Sequence, residues 1–184
     1  MAEAFRTLRT NIQFSNVDQE IKSIVILSPE PSEGKSTVTA NLGIVMAQMG
    51  QRVLIVDGDL RKPVIHKIFQ GSNTKGLTNI LVGNIHSEGV IQPTHIDTLN
   101  ILPSGPIPPN PSELLASKKM KALMEDLQAD YDLVLIDSPP VGLVSDALIL
   151  STLCQGVIMV CQSKKTAIEQ AVKAKDALNR INAN

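Results

Sequence analysis

Gly34-Lys35-Ser36 stands between a short apolar run, Ile24-Val25-Ile26-Leu27, and a stretch of helical character, Thr37 to Met49. A strand, a tight glycine loop and a helix start in that order leave few architectures open. Backbone N–H groups of such a loop point at one spot, and the helix dipole makes that spot favourable for an anion. A lysine there reaches the β- and γ-phosphates of a nucleotide, and the hydroxyl that follows can ligate Mg²⁺. The glycine usual six residues before the lysine is replaced by Pro29, in Pro29-Glu30-Pro31-Ser32-Glu33-Gly34-Lys35-Ser36, so the phosphate loop is a variant.

Two further apolar runs end in acids. Val53-Leu54-Ile55-Val56 leads into Asp57-Gly58-Asp59, and Leu133-Val134-Leu135-Ile136 leads into Asp137-Ser138-Pro139-Pro140. Asp-Gly-Asp and Asp-Ser-Pro are each good turn chemistry by themselves. In open α/β sheets, however, ligands bind at the C-terminal ends of the strands. A phosphate loop on one strand and acids on two others form the parts of an ATP·Mg²⁺ site, the second acidic run having the shape of a Walker B strand.

The remaining pattern alternates strand and helix. Helices are predicted over about 2–14, 36–49 with Gly50 at the C′ position, 64–69, 77–81 and 146–153. A further helical region, capped by Ser112 and broken near Ser117, runs to about 129, and a last helix covers 166–181. Strands are predicted over 23–27, 52–56, 99–102, 133–136 and 157–160. Gly105 to Pro111 suits neither helix nor central strand. Strands apolar on both faces and separated by helices imply an α/β fold, a mostly parallel sheet with helices on both faces, of P-loop NTPase type. The 184 residues suit one domain, 1–184.

Composition narrows the function classes. Net charge is −1, so no overall basic field favours nucleic acid or anionic lipid. Aromatic residues make up 2% of the chain, too few for a single-strand stacking platform. No apolar run reaches the length of a membrane span, and Met1-Ala2-Glu3-Ala4-Phe5-Arg6 has no signal-peptide core, which predicts a cytoplasmic protein without direct membrane insertion. Cys154 and Cys161 fit no zinc spacing and are expected as reduced, buried thiols. His66, His86 and His95 show no ligand spacing, and Met46 and Met49 are expected in the core. No Gly-x-Gly-x-x-Gly follows the first strand, which excludes a Rossmann dehydrogenase.

A phosphate loop followed by a hydrophobic Asp-x-Asp-x-Arg element resembles the deviant P-loop ATPases of the MinD/ParA type. Those carry a further lysine five residues before the main one; Glu30 stands there in this chain. The pattern is more similar to the bacterial tyrosine kinases of capsule and exopolysaccharide synthesis (BY-kinases). Asp57-Gly58-Asp59-Leu60-Arg61-Lys62-Pro63 resembles their Walker A′ element, Ser104 to Leu115 their proline-rich stretch, and Glu3-x-x-Arg6-x-x-Arg9 their oligomerisation motif. Taken alone, Glu3, Arg6 and Arg9 share one side of a helix, and such a face is commonly just solvated.

The resemblance implies an ATP-dependent protein-tyrosine kinase with Ser32, Glu33, Gly34, Lys35, Ser36 and Thr37 around the phosphates. Lys35 would neutralise the β/γ-phosphates and Thr37 support the α-phosphate side. Ser36, Asp59 and Asp137 would hold Mg²⁺, the two acids through water, and Asp57 would accept the proton of the incoming tyrosine hydroxyl. It further implies a homo-oligomeric ring through the helix at 2–14, tyrosine-containing protein substrates, and activation by the cytosolic segment of a membrane chain-length regulator that recruits the protein to the inner face of the membrane. A MinD/ParA-like ATPase switch and a nucleotide-binding scaffold are the alternatives. Arg61 and Lys62 stand open between a phosphate or partner contact and a solvated turn. The family carries a tyrosine-rich tail and a further buried strand beyond the last helix, ending in an asparagine near adenine. The present sequence contains neither, and weaker base contacts are expected. Its single tyrosine, Tyr131, is expected to pack its ring with an exposed hydroxyl rather than to be phosphorylated.

Overall fold

The computed structural model describes residues 2–15, 21–83 and 85–183. Met1 and Asn184, the ends of the expected domain, lie outside the described residues. Strands β1 (Ser23–Leu27), β2 (Val53–Asp57), β3 (Gln92–Pro93), β4 (Leu99–Leu102), β5 (Leu133–Asp137) and β6 (Gly156–Met159) form one sheet in the order β3-β4-β2-β5-β1-β6. All pairings are parallel except β3 with β4. Helices are α1 (Ala2–Ser15), α2 (Lys35–Ala47), α3 (Ile65–Ile68), α4 (Leu77–Val82), α5 (Pro111–Leu115), α6 (Lys118–Asp130), α7 (Asp146–Ser151) and α8 (Ile168–Arg180).

Side chains alternate across the strands, and both faces are covered, which is why the strands read as unbroken apolar runs. Leu54, Val56, Val134 and Ile136 pack against Leu77 and Ile80 of α4, Leu115 of α5 and Met120 of α6. Ile55, Val53, Leu133 and Leu135 pack on the opposite face with Leu42 and Met46 of α2. Phe5, Leu8 and Ile12, at helical spacing on α1, rest against this second cluster. Among the described residues no helix is long and apolar enough to cross a membrane.

Several local expectations are corrected. Pro111 opens α5 at its first position behind Asn110, so Ser112 is an internal residue and not the cap. The break near Ser117 is real: its hydroxyl oxygen accepts the N–H of Met120 at 3.1 Å and starts α6. Helix α2 ends at Ala47, and Gly50 makes the left-handed turn beyond it at φ 86°. Met49 is consequently 61% exposed, whereas Met46 is in the core as expected. Cys161 is exposed rather than buried. The Tyr131 ring packs against the first cluster as expected, and its hydroxyl accepts a hydrogen bond from Asn100 Nδ2 at 3.1 Å. Strand β3 escaped the sequence pattern because two residues, one a proline, carry no periodicity.

Candidate active site

Register brings the site together. β5 lies between β1 and β2, and Asp57 pairs directly with Asp137 at the C-terminal edge of the sheet. The phosphate loop leaves the next strand, β1, and returns as α2. Two residues of the loop hold left-handed backbone, Ser32 at φ 61° and Gly34 at φ 91°. At Gly34 this conformation costs nothing, which suits a glycine immediately before the helix. Among the described residues, no backbone N–H from Gly34 to Thr37 donates to a protein acceptor. These groups are left for an anion at the start of a helix of 13 residues.

Three buried acids lie beside the loop. Ser36 donates its hydroxyl to Asp137 Oδ2 at 2.6 Å, and Thr39 donates to the Lys35 carbonyl at 2.9 Å while lying 3.4 Å from Asp137 Oδ1. Asp59 approaches Lys35 Nζ with Oδ2 at 3.7 Å, and its Oδ1 accepts the N–H groups of Arg61 and Lys62 at 3.2 and 2.9 Å. Asp57 turns Oδ2 toward the N–H groups of Val64 and Ile65, both at 3.0 Å, and its buried Oδ1 has no partner among the described residues.

These carboxyls are electrostatically poised. Burial pushes Asp57 up to about 7, and the neighbouring charge of Asp137 adds to it against the two backbone N–H groups. Burial likewise raises Asp137 to about 6, opposed by the Lys35 ammonium and the Ser36 hydroxyl. Three acids at one sheet edge with one lysine between them would gain from a divalent cation. Among the described residues no group of three His, Cys, Asp or Glu side chains is placed to cage a metal. That donor set fits Mg²⁺, which keeps water and phosphate oxygens around it and needs only one or two protein ligands. Ser36, Asp59 and Asp137 are the protein groups placed to take that part.

A cavity of about 380 Å³ opens over the loop. Ser32, Gly34, Lys35, Ser36, Thr37 and Asp59 border it. Asp57, Asp137 and Glu33, three of the residues expected in the site, do not. Asp57 is fully buried beneath it. The Glu33 carboxylate is turned inward, where Oε2 accepts the Glu30 N–H at 2.9 Å and Oε1 accepts the Thr166 hydroxyl. Glu33 thus shapes the loop and ties it to the segment after β6. Glu3 and Arg6 pair on the exposed face of α1 at 3.2 Å, far in sequence from these groups; Arg9 shares the helix, and its buried Nε has no partner among the described residues.

Arg61 and Lys62 both border the cavity, and Arg61 is also anchored by a buried acid. Its guanidinium donates to the fully buried Asp146, from Nε to Oδ2 at 2.8 Å and from Nη2 to Oδ1 at 3.3 Å. Ser112 donates to the same Oδ1. This triad joins the Walker A′ turn, the proline-rich stretch and the start of α7. Sequence reasoning missed Asp146, whose only signal was a lone acid inside the apolar run Val144 to Leu150.

A phosphate cradle at a helix start, with acids at the ends of the adjacent strand β5 and of β2 beyond it, defines a P-loop protein built for nucleotide phosphoryl chemistry. Consistent with this, residues 21–183 match the AAA domain family. The MinD septum site-determining protein of Pyrococcus horikoshii, solved with Mg-ADP, superposes with TM-score 0.74 at 28% identity, covering 86% of this chain and 65% of that one. Closer likeness lies elsewhere. The tyrosine-protein kinase YwqD of Bacillus subtilis (strain 168) is 50% identical over 177 residues, 96% of this chain and 75% of YwqD. The crystal structure of the chimerical protein CapA2B2 superposes with TM-score 0.95 at 42% identity, covering 99% of this chain and 80% of that one. The chain belongs to the bacterial tyrosine kinases of capsule and exopolysaccharide synthesis.

Proposed function

We propose that this protein transfers the γ-phosphate of ATP to tyrosine side chains of neighbouring copies of itself and of other proteins, in control of polysaccharide synthesis and export. The convergence of Lys35, Ser36 and Asp59 on one cavity, with the buried Asp137 held by the Ser36 hydroxyl, is the observation that carries this reading. Loop N–H groups and Lys35 would bind and orient the β- and γ-phosphates, and Thr37 would border the α-phosphate side. Mg²⁺, when bound, would neutralise charge building on the phosphate oxygens. Ser36 would ligate it directly and Asp59 and Asp137 through water. Phosphoryl transfer asks for this positioning and charge neutralisation more than for covalent help.

Asp57 is the proposed proton acceptor for the tyrosine hydroxyl, through the Oδ1 atom that lacks a partner. A carboxyl raised to about 7 suits proton transfer near neutral pH. Residues 1–184 would act as a single kinase domain at the cytoplasmic face of the membrane. Glu3, Arg6 and Arg9 on α1 would contact the next subunit in a homo-oligomeric ring, where arginine forks pair carboxylates. A cytosolic segment of a membrane chain-length regulator would activate it.

The test combines the protein with ATP, Mg²⁺, a tyrosine-containing tail peptide and the candidate activator segment, reading phosphotyrosine and free phosphate separately. Phosphotyrosine lost in Lys35→Met and Asp57→Asn is expected. Phosphate release without phosphotyrosine under every activator would return the protein to an ATPase switch of the MinD kind. Unchanged turnover in Asp57→Asn would favour a scaffold.

A further inference from the structure

The cavity over the phosphate loop has two unlike halves. One is the cradle itself. The other is an apolar wall made by Val64, Pro140, Leu143 and Val144. Leu143 is 66% exposed, and Val64 and Val144 are half-buried, so the wall faces solvent. A triphosphate has no use for such a surface.

The wall is held in place from behind. The N–H groups of Val141 and Gly142 donate to the carbonyls of Ser28 and Pro29, at 2.9 and 3.1 Å, which staples this loop to the stem of the phosphate loop. A Cβ on Gly142 would lie 2.7 Å from the Pro29 carbonyl oxygen, so only glycine allows that approach. Val64 is fixed by its N–H bond to Asp57 Oδ2 at 3.0 Å. Just beyond Val144, Asp146 anchors the start of α7 to Arg61.

Position decides the occupant. Val64 follows closely on Asp57 and Asp59, and Pro140 to Val144 follow closely on Asp137. The wall therefore grows out of the strand ends that carry the acids. It thus borders the acid-bearing side of the cradle, where a γ-phosphate would be held. Only the group about to receive the phosphate enters there. In a tyrosine kinase that group is a phenol, an apolar ring with one polar tip.

We propose that Val64, Pro140, Leu143 and Val144 form the seat for the acceptor tyrosine ring, with the hydroxyl directed past Asp59 toward Asp57 and the phosphate loop. This rests on the tyrosine-kinase reading above and adds the residues that select the acceptor. In the transfer, the tyrosine oxygen forms a bond to the γ-phosphorus of ATP as the bond to the β-bridging oxygen breaks. The phenolic proton passes to the Asp57 carboxylate, and ADP leaves with the bridging electrons.

The experiment uses the full chain with ATP, Mg²⁺ and a tyrosine peptide, in wild type, Leu143→Ser and Leu143→Phe. Leu143 is a surface position, so both variants are expected to fold, which a melting curve checks. Leu143→Ser should raise KM for the peptide roughly five- to tenfold while leaving KM for ATP and peptide-independent phosphate release within twofold, as expected for loss of one apolar contact to the acceptor. Leu143→Phe should restore peptide KM to near the wild-type value. A rise in KM for ATP instead would show that the wall seats the base and overturn the proposal. So would peptide KM unmoved in Leu143→Ser while wild type makes phosphotyrosine. A wild-type protein that never makes phosphotyrosine overturns the kinase reading itself, a result distinct from both.

Discussion

Replacing Asp146 by asparagine tests whether the Walker A′ turn is held from outside the site. Asp146 is fully buried and accepts three hydrogen bonds, two from Arg61 and one from Ser112. Asparagine keeps one acceptor oxygen but puts an NH₂ donor where another donor already points. Breaking a buried ion pair from one side costs ~3–5 kcal/mol. The Arg61 side chain is 39% exposed and regains water when released, which lowers the expected cost to about 2–3 kcal/mol. For a chain of this size that corresponds to a fall in Tm of about 5–10 °C. Urea unfolding of Asp146→Asn, Ser112→Ala and the double variant reads it directly. The two changes should couple by about 1 kcal/mol or more, because both act on Oδ1. Since Arg61 also gives its backbone N–H to Asp59, kcat should drop in Asp146→Asn. A stability change under about 0.5 kcal/mol, or strict additivity with Ser112→Ala, would refute the idea that this triad fixes the turn.

The raised Asp57 carboxyl has a signed consequence in the metal-free protein. Its folded value is about 7 against an ordinary 3.8, so its contribution to stability is full below about 3.8 and is lost as pH rises through 7. Asp57→Asn should therefore gain stability relative to wild type as pH goes from 5.5 to 7.5, by up to about 2 kcal/mol, and equal pH profiles in thermal melts would count against it. Gly76→Ala should cost at least about 3 kcal/mol or prevent folding, because its Cβ would lie 2.1 Å from the Gly105 nitrogen and 2.3 Å from the Pro103 oxygen. Gly89→Ala, with nothing within 4 Å, is the control and should shift urea unfolding by under about 0.5 kcal/mol. Mg·ADP at a hundred times its Kd should stabilise wild type by about 2.7 kcal/mol and Lys35→Ala far less, and chelation should reverse the gain in a melting assay.

Much of the frame was legible in the sequence because burial on both faces writes itself as apolar runs. Ile24–Leu27, Val53–Val56 and Leu133–Ile136 announce central parallel strands, and the polar residues at their C-terminal ends announce where chemistry collects. What stayed hidden depends on distance in the chain. Asp146 lies 85 residues from Arg61, and nothing at either position names the other. The inward turn of Glu33 depends on Thr166, 133 residues away. Ser112 looked like a helix cap because caps and buried hydrogen-bond donors use the same residue types. The apolar wall around Leu143 was invisible for a related reason: an exposed leucine gains meaning only from what it faces.

The place of β5 has a bearing on how the chain is made. β1, the strand that launches the phosphate loop, has only β5 and β6 as neighbours, and both come more than a hundred residues later. During synthesis, then, β1 emerges with both edges unpaired and stays so until residue 133 leaves the ribosome. β2 can pair with β4 well before that. β5 then inserts between the two waiting strands, ahead of β6 in chain order, and delivers Asp137 to Ser36 in the same movement. Nucleotide cannot guide the earlier stages, because its site does not exist until the sheet closes. Slowing translation just before residue 133 should therefore prolong an aggregation-prone nascent state that added ATP leaves unchanged.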